Sequence, residues 1–261
     1  ARYSERTGGP VTFARQVTNV TVIIIPAISV NVNKLRRLMR PGSVQIHLLN
    51  LQALVADRAS CLSAEEVSRA ARYKFRVDAE RWVTCRVRLR EILGQAIGRP
   101  PSEVPLERAE FGKPHLAPPF DALYFNVAHA GPVALLALCR DGPVGVDLEP
   151  RRRAFALVGC ETTFCHPAEI AVLPIDPAEH ASQLLRIWTA KEAVLKAIGT
   201  GFSHPPELIR IFFEPPGGHA VSEKALAGIE NQRLHPLAHP RLVDHQAVLS
   251  TSTNVSSLEY F

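Results

Sequence analysis

The stretch VGVDLEPRRR, Val144 to Arg153, joins an apolar strand pattern to two acidic residues and a basic run. Side chains alternate faces along a strand, so Asp147 and Glu149 point the same way. Two neighbouring carboxylates repel each other, and keeping both ionised requires a cation between them. A hard divalent ion with oxygen ligands, magnesium above all, would supply that charge. Taken alone, the pattern also fits the polar face of a strand at the edge of a sheet.

A second stretch, WTAKEAVLKAIGTGF (residues 188–202), adds a third acid on a helix predicted from about residue 181 to 198. Lys191 falls within the apolar stripe of this helix, which is costly for an ammonium without a partner. Glu192 and Lys196 are four residues apart and share the adjacent flank. The pattern therefore predicts an acid and two lysines on the buried side of the helix. A surface ion pair, with Lys191 extending its stem to solvent, is the alternative.

The composition bounds the class of protein. The chain has 261 residues, 46% hydrophobic and 21% charged, which is typical of a folded globular protein. Its net charge of +5 suits an anionic partner. The five cysteines include no CxxC pair, and CETTFCH (residues 160–166) lacks a fourth ligand, so we expect neither a disulfide framework nor a zinc module. The longest apolar stretch, residues 20–32, is too short to cross a bilayer, so we expect a cytoplasmic protein without membrane contact.

The order of predicted elements indicates an α+β fold. Ser43 to Leu51 alternates like a strand with one buried face, Ser63 and Glu66 form a capping box, and Asp78 is the predicted cap of a long helix. After a strand, turn and strand in LYFNVAHAGPVALLAL, the second half again gives strand, helices and strands. We therefore predict two similar α+β lobes. The predicted divisions are an extension of uncertain order at 1–42, a first lobe at 43–130, a second at 131–250 and a tail at 251–261.

Two weaker signals precede the acidic strand. FNVAHAG places His129 at the end of a buried strand, and GKPH places Lys113 in a loop stiffened by proline. A single histidine or lysine of this kind is more often a structural or solvated residue than a member of an active site. Arginines also decorate the first two helices, either as a solvated basic face or as an anion-binding surface. A nucleic-acid binder is a poor alternative, because the arginines lack interleaved aromatic residues and any DNA-binding motif.

Five motifs occur in the order typical of one enzyme family: LS..E..RA.R, GKP, FNVAHAG, VGVDLEP and WTAKEAVLKAIGTGF. Over residues 43–215 the chain resembles the 4'-phosphopantetheinyl transferases of the longer, two-lobed type that serve secondary metabolism. The resemblance implies a monomer with its active site in the cleft between the lobes. It also implies magnesium-dependent transfer of 4'-phosphopantetheine from coenzyme A to a serine of an acyl or peptidyl carrier protein, an acidic helical protein. The other product is 3',5'-ADP, and fatty-acid, polyketide and nonribosomal-peptide pathways all stay open. A relative that binds the carrier or a nucleotide without turnover is the alternative.

The resemblance also assigns roles to residues. Asp147, Glu149 and Glu192 match the metal ligands, Glu192 is also the candidate base for the serine, and Asp147 and Lys196 complete the catalytic set. Ala128 stands where the family commonly has serine, which implies the loss of a phosphate contact worth ~1 kcal/mol. The positions implied to hold coenzyme A are Arg69, Arg81, Lys113, Pro114, Asn126, His129, Lys191 and Lys196.

Overall fold

The structure, a computed structural model, describes residues 14–17, 20–24, 40–53, 55–215, 217–222, 228–229 and 232–261, with side chains from residue 40 onward except at 56 and 202. Most of the predicted extension at 1–42 therefore lies outside the described residues. The described strands are β1 (Ala14–Val17), β2 (Val20–Ile24), β3 (Ser43–Asn50), β4 (Leu106–Arg108), β5 (Pro114–Leu116), β6 (Tyr124–Ala130), β7 (Val133–Cys139), β8 (Val144–Pro150), β9 (Ile209–Glu214), β10 (Gly217–Ser222), β11 (Arg233–Pro236), β12 (His245–Thr251) and β13 (Ser257–Tyr260). The α-helices are α1 (Ala64–Ala71), α2 (Arg76–Ile97), α3 (Glu161–Phe164), α4 (Pro167–Ile170) and α5 (Pro177–Ile198).

Two larger sheets organise these elements. The first has the order β1-β2-β13-β3-β7-β6, the second has the order β8-β12-β11-β10-β9, and β4 and β5 form a separate hairpin. All pairings are antiparallel except those of β13 with β2 and β3. The mixture of helices with largely antiparallel sheets confirms the α+β class. Each sheet is accompanied by one 22-residue helix, which is compatible with the predicted pair of related lobes.

The hydrophobic core lies on both sides of each sheet. Helix α2 packs on the first sheet, where Leu93 joins a buried cluster with Leu136. The opposite face of that sheet shares a cluster with the second sheet, as Ile46 and Val146 show. Helix α5 covers the outer face of the second sheet. The layers therefore run α2, first sheet, second sheet, α5.

Strand β3 differs from its predicted pattern. The sequence predicts one buried face, but residues 43–49 are buried on both faces. The cause is this layering, because Leu49 packs in the α2 cluster while Val44 packs between the sheets. Apolar residues at alternate positions predict only one buried face of β3, the face that packs between the sheets, and not the face that packs against α2.

The helix ends follow the local capping chemistry. Ser63 and Glu66 form the predicted capping box of α1. Helix α2 begins at Arg76 rather than after Asp78, and it ends at Gly98, whose positive φ of 73° favours glycine. Helix α5 begins four residues earlier than predicted, because the Asp176 carboxylate accepts the free backbone N–H groups of its first turn.

The predicted tail is part of the first sheet. Strand β13 lies between β2 and β3, and Tyr260 is fully buried there. Strand β7, which follows the predicted lobe boundary at residue 130, pairs along its length with β6 in the same sheet. The lobe boundaries themselves stay predictions. Within the described residues, no helix has both the length and the apolar character that crossing a membrane requires.

Candidate active site

Helix α5 lies directly against strand β8 because β8 carries glycine at the point of contact. A Cβ atom on Gly145 would lie 2.0 Å from the carbonyl oxygen of Ala193 and 2.3 Å from the backbone nitrogen of Ala197. Asp147 and Glu149 follow at alternate positions and therefore share this helix-facing side of the strand. A glycine inside a strand is a sequence signal for close backbone approach, and Gly145 carries that signal in the motif VGVDLEP.

The approach of α5 brings Lys196 between two carboxylates. Its Nζ atom lies 2.5 Å from Asp147 Oδ1 and 3.7 Å from Glu192 Oε2. Asp147 is only 4% exposed, and its second oxygen, Oδ2, is buried without a hydrogen-bond partner. A buried carboxylate oxygen without a partner is costly, so this atom marks a place where a further donor or cation would stabilise the site.

The acids of the site perturb one another. Burial raises the pKa of Asp147, Lys196 partly opposes that rise, and Glu149 adds to it. Burial also raises the pKa of Glu192, again against Lys196 and reinforced by Asp147 and Glu149. Lys196 thus serves two of the carboxylates, Asp147 and Glu192, and its single charge cannot balance both, which favours a further cation.

Glu149 has two donors on a single oxygen. Its Oε1 atom accepts a hydrogen bond from Trp188 Nε1 at 3.2 Å and from Arg153 Nη1 at 2.6 Å. Neither donor was predicted to belong to the site. The helical pattern gives Trp188 only an apolar role, and no spacing rule connects Arg153 to a strand residue across a turn.

The donor set fits magnesium in its chemistry but is not assembled around an ion. Within the described part of the chain, no three His, Cys, Asp or Glu side chains stand close enough together to hold a metal. The ammonium of Lys196 instead lies between Asp147 and Glu192. The oxygen ligands and the unpartnered Asp147 Oδ2 are the features that a hard divalent ion requires.

Two residues of strand β6, Asn126 and His129, border the candidate active site. The His129 side chain keeps a solvent-exposed surface, but the protein packed around its ring partly desolvates it, which together with the charge of Lys196 lowers its pKa, while Asp147 raises it. Asn126 Oδ1 accepts the backbone N–H of Val146 at 2.9 Å and so ties β6 to β8. The structure therefore places His129 beside the acids, whereas the amide oxygen of Asn126 is already engaged.

Lys113 connects its loop to the far end of the site. Its Nζ atom donates to the carbonyl of Ala197 at 2.8 Å and to that of Val144 at 3.2 Å. Burial lowers the pKa of Lys113 to about 8. Since an ammonium has three donors, one N–H stays available for a ligand. Pro114 lines a cavity of about 190 Å³ together with Lys113 and Tyr124.

Lys191 does not join the site, contrary to its predicted role in holding coenzyme A. The side chain is 1% exposed, and Nζ lies 2.6 Å from Glu169 Oε2. It also donates to the carbonyls of Phe164 at 2.7 Å and Pro206 at 3.1 Å. All three donors of the ammonium are therefore used inside the core, and none can reach a ligand in the site.

Three further positions singled out from the sequence are Arg69 and Arg81, which contact residues of helix α2, and Ala128, which is buried. The Arg69 guanidinium lies 5.8 Å from the Trp82 ring centre, and Arg81 Nη1 lies 3.7 Å from Asp78. Ala128 is buried between the sheets, on the face of β6 opposite His129. A serine at this position would therefore direct its hydroxyl into the core, which does not support the expected loss of a phosphate contact.

Two family models match the chain. One, described as the 4'-phosphopantetheinyl transferase superfamily, matches residues 143–247, and one described as 4'-phosphopantetheinyl transferase, N-terminal, matches residues 52–140. The chain is 33% identical over 174 residues to the 4'-phosphopantetheinyl transferase HetI of Nostoc sp., covering 64% of this chain and 73% of the relative. It is 34% identical over 152 residues to a putative 4'-phosphopantetheinyl transferase of Synechocystis sp., covering 58% and 62%. It is 25% identical over 146 residues to the 4'-phosphopantetheinyl transferase Sfp of Bacillus subtilis, covering 56% and 64%.

Proposed function

The chain belongs to the 4'-phosphopantetheinyl transferase superfamily, and we propose that it transfers the 4'-phosphopantetheine group of coenzyme A to a serine of a carrier protein. The observation that carries this proposal is the contact of Asp147 with Lys196 beside Glu192, with Asp147 Oδ2 buried and unpartnered. Such a site combines acids that can hold a divalent cation with a lysine that can bind phosphate. A transferase acting on a pyrophosphate needs both.

Asp147, Glu149 and Glu192 would hold magnesium, which neutralises charge on the pyrophosphate when bound. Lys196 contacts Asp147 through Oδ1, which leaves the unpartnered Oδ2 of the same carboxylate for the ion. The Lys196 side chain is 31% exposed and its ammonium sits at the end of a flexible stem, so it can turn from the acid to a phosphate oxygen. Lys196 would therefore always have an anionic partner, either Asp147 or the phosphate.

Glu192 would act as the base. The serine oxygen bonds to the β-phosphorus of coenzyme A, the bond from that phosphorus to the bridging oxygen breaks, and 3',5'-ADP leaves. The serine proton passes to Glu192, whose pKa is raised by burial and by the neighbouring acids, with Lys196 opposing the rise. A carboxylate with a raised pKa is a better proton acceptor than an ordinary one. No protein nucleophile is required.

Coenzyme A would lie along the side of the site formed by the first half. His129 interacts electrostatically with Asp147 and Lys196, and its lowered pKa keeps the ring neutral, so it can donate one hydrogen bond to the nucleotide. Lys113 offers its remaining N–H group. Arg69 and Arg81 supply the basic charge for the 3'-phosphate end. Lys191 has no part in this binding.

The carrier protein would dock beside Glu149. The 3-10 helix Arg151–Leu157 presents three exposed arginines and Phe155, which is 64% exposed. An acidic partner with an apolar patch complements such a surface. We further expect a monomer, as the family resemblance implies, that acts in the cytoplasm, as the short apolar stretch at residues 20–32 predicts.

The test is the mass of carrier proteins from fatty-acid, polyketide and nonribosomal-peptide synthases after incubation with coenzyme A, magnesium and this protein. We expect at least one carrier to gain one phosphopantetheine group, and chelation of the metal to prevent the gain. A carrier with its serine replaced by alanine is the control and should keep its mass. If no carrier gains mass, the protein is instead a binding relative without turnover.

A further inference from the structure

Arg153 forms an ion pair with one of the proposed metal ligands. The 3-10 helix Arg151–Leu157 begins directly after β8 and turns Arg153 back toward the strand. There its Nη1 atom lies 2.6 Å from Glu149 Oε1. The Glu149 side chain is 13% exposed, whereas that of Arg153 is 48% exposed. A half-buried acid is thus paired with a cation that can move into solvent.

The Arg153–Glu149 ion pair is not needed to orient the Glu149 carboxylate. Trp188 Nε1 donates to the same oxygen at 3.2 Å, and the Trp188 ring packs edge-on against Phe164. The Trp188 indole belongs to α5 and is held by packing, so its hydrogen bond is sufficient to orient the Glu149 carboxylate. What Arg153 adds is positive charge.

A guanidinium at this place opposes a divalent ion in two ways. It occupies lone pairs of Glu149 Oε1 that the ion could use. It also repels the ion, because like charges a few ångströms apart raise each other's energy. Lys196 has the same relation to Asp147, so both strand acids already have a cation partner in the free protein.

We propose that Arg153 competes with the divalent cation for Glu149 and weakens metal binding by the free protein. The inference rests on the proposed magnesium site. Because the pair is partly exposed, its strength is that of a surface ion pair, and its loss should tighten metal binding roughly two- to five-fold. Metal binding at Glu149 would then require Arg153 to move its guanidinium toward solvent.

The test is a titration of the full chain with Mn²⁺, followed by electron paramagnetic resonance of the free ion, without coenzyme A. Arg153→Gln should bind Mn²⁺ about two- to five-fold more tightly than the unmodified protein. Arg153→Lys keeps the charge and should bind as the unmodified protein does. Arg152→Gln is the matched control, since Arg152 is exposed on the same 3-10 helix, and should change the affinity little.

Unchanged or weaker binding by Arg153→Gln would overturn the inference. Asp147→Asn, added to each background, separates this failure from failure of the proposed function. If Asp147→Asn removes the saturable Mn²⁺ binding but Arg153→Gln does not tighten it, only the role of Arg153 is wrong. If Mn²⁺ binding survives Asp147→Asn, the ion binds elsewhere and the proposed metal site is wrong too.

Discussion

Lys113 is a single residue whose charge depends on its burial. Desolvation lowers its pKa from 10.5 to about 8, while its ammonium donates to two backbone carbonyls. The folded protein therefore releases this proton at a lower pH than the unfolded chain does. Between those two pKa values, this group makes the fold more stable as pH rises. Binding of an anion follows the opposite trend, because it needs the charged form.

We predict that the KM for coenzyme A rises as the pH increases through about 8, the pKa of Lys113. The physical reason is loss of the ammonium charge that attracts phosphate. The measurement is KM against pH for the unmodified protein and for Lys113→Arg, whose guanidinium stays charged. The same rise in both proteins would show that another group is responsible.

The sequence alone does not distinguish the lysine that is paired inside the core, Lys191, from the lysine in the candidate active site, Lys196. Both lie on α5, and the helical pattern correctly predicts that Lys191 needs a partner. That partner, Glu169, belongs to the separate short helix α4, so the spacing on α5 contains no information about it. The pairing of Lys196 with Glu192 was predictable, because the two residues lie one turn apart on the same helix.

At the scale of elements, the contact of α5 with β8 determines the site. The strand carries Asp147, the helix carries Glu192 and Lys196, and Gly145 lets the two backbones touch. The apolar alternation of the strand and the helical stripe both predict these elements from the sequence. Their mutual distance was not predictable, since it depends on packing between segments far apart in the chain.

We predict that Gly145→Ala reduces phosphopantetheine transfer by about a hundred-fold, because small displacements of catalytic groups have effects of this size. Its Cβ would lie 2.0 Å from the carbonyl oxygen of Ala193, so the helix must move. The crowding should also lower the free energy of unfolding by about 1–3 kcal/mol. The measurements are kcat/KM with a carrier substrate and urea-induced unfolding.

Gly159→Ala is the control for this substitution. Gly159 has a φ of 87°, so alanine strains the backbone, but no atom lies within 4 Å of its added Cβ. It should lose about 1 kcal/mol of stability and keep its transfer rate. Equal kcat/KM values for Gly145→Ala and the unmodified protein would contradict the proposed role of the close contact.

At the scale of the whole molecule, the last strand of the sequence joins the first sheet. Strand β13 lies between β2 and β3, and Tyr260 is 1% exposed in the core shared by the two sheets. Burial raises the pKa of its hydroxyl to about 12, partly opposed by a hydrogen bond with the backbone of Ala238. The strand therefore links the second half of the chain to the core of the first.

We predict that Tyr260→Ala lowers the free energy of unfolding by about 3 kcal/mol, through the cavity it leaves in this shared core. Denaturant unfolding measures the loss, and both sheets should melt together. Val243→Ala, at a side chain that is 72% exposed, is the control and should change stability by less than about 0.5 kcal/mol. A loss as small as that of the control would show that β13 is peripheral.

The overall class was predictable and the topology was not. Alternating residues, the capping box of α1 and the apolar stripe of α5 predict the α+β class. The Ser/Thr-rich segment before β13 reads as a tail, and nothing local shows that Leu258 and Tyr260 pair with strands more than two hundred residues earlier. Such pairing depends on which sheet edge is available, which only the folded chain defines.

We propose that Asp147 and Glu192 hold the metal and promote the transfer. The measurement is the mass of a carrier protein after incubation with coenzyme A, magnesium and each of three variants: Asp147→Ala, Glu192→Ala and the control Glu179→Ala, which is exposed on the same helix α5. Circular dichroism confirms that each variant is folded. We predict a full mass gain with Glu179→Ala and none with either site variant. A full mass gain with folded Asp147→Ala or Glu192→Ala would contradict the assignment of the site.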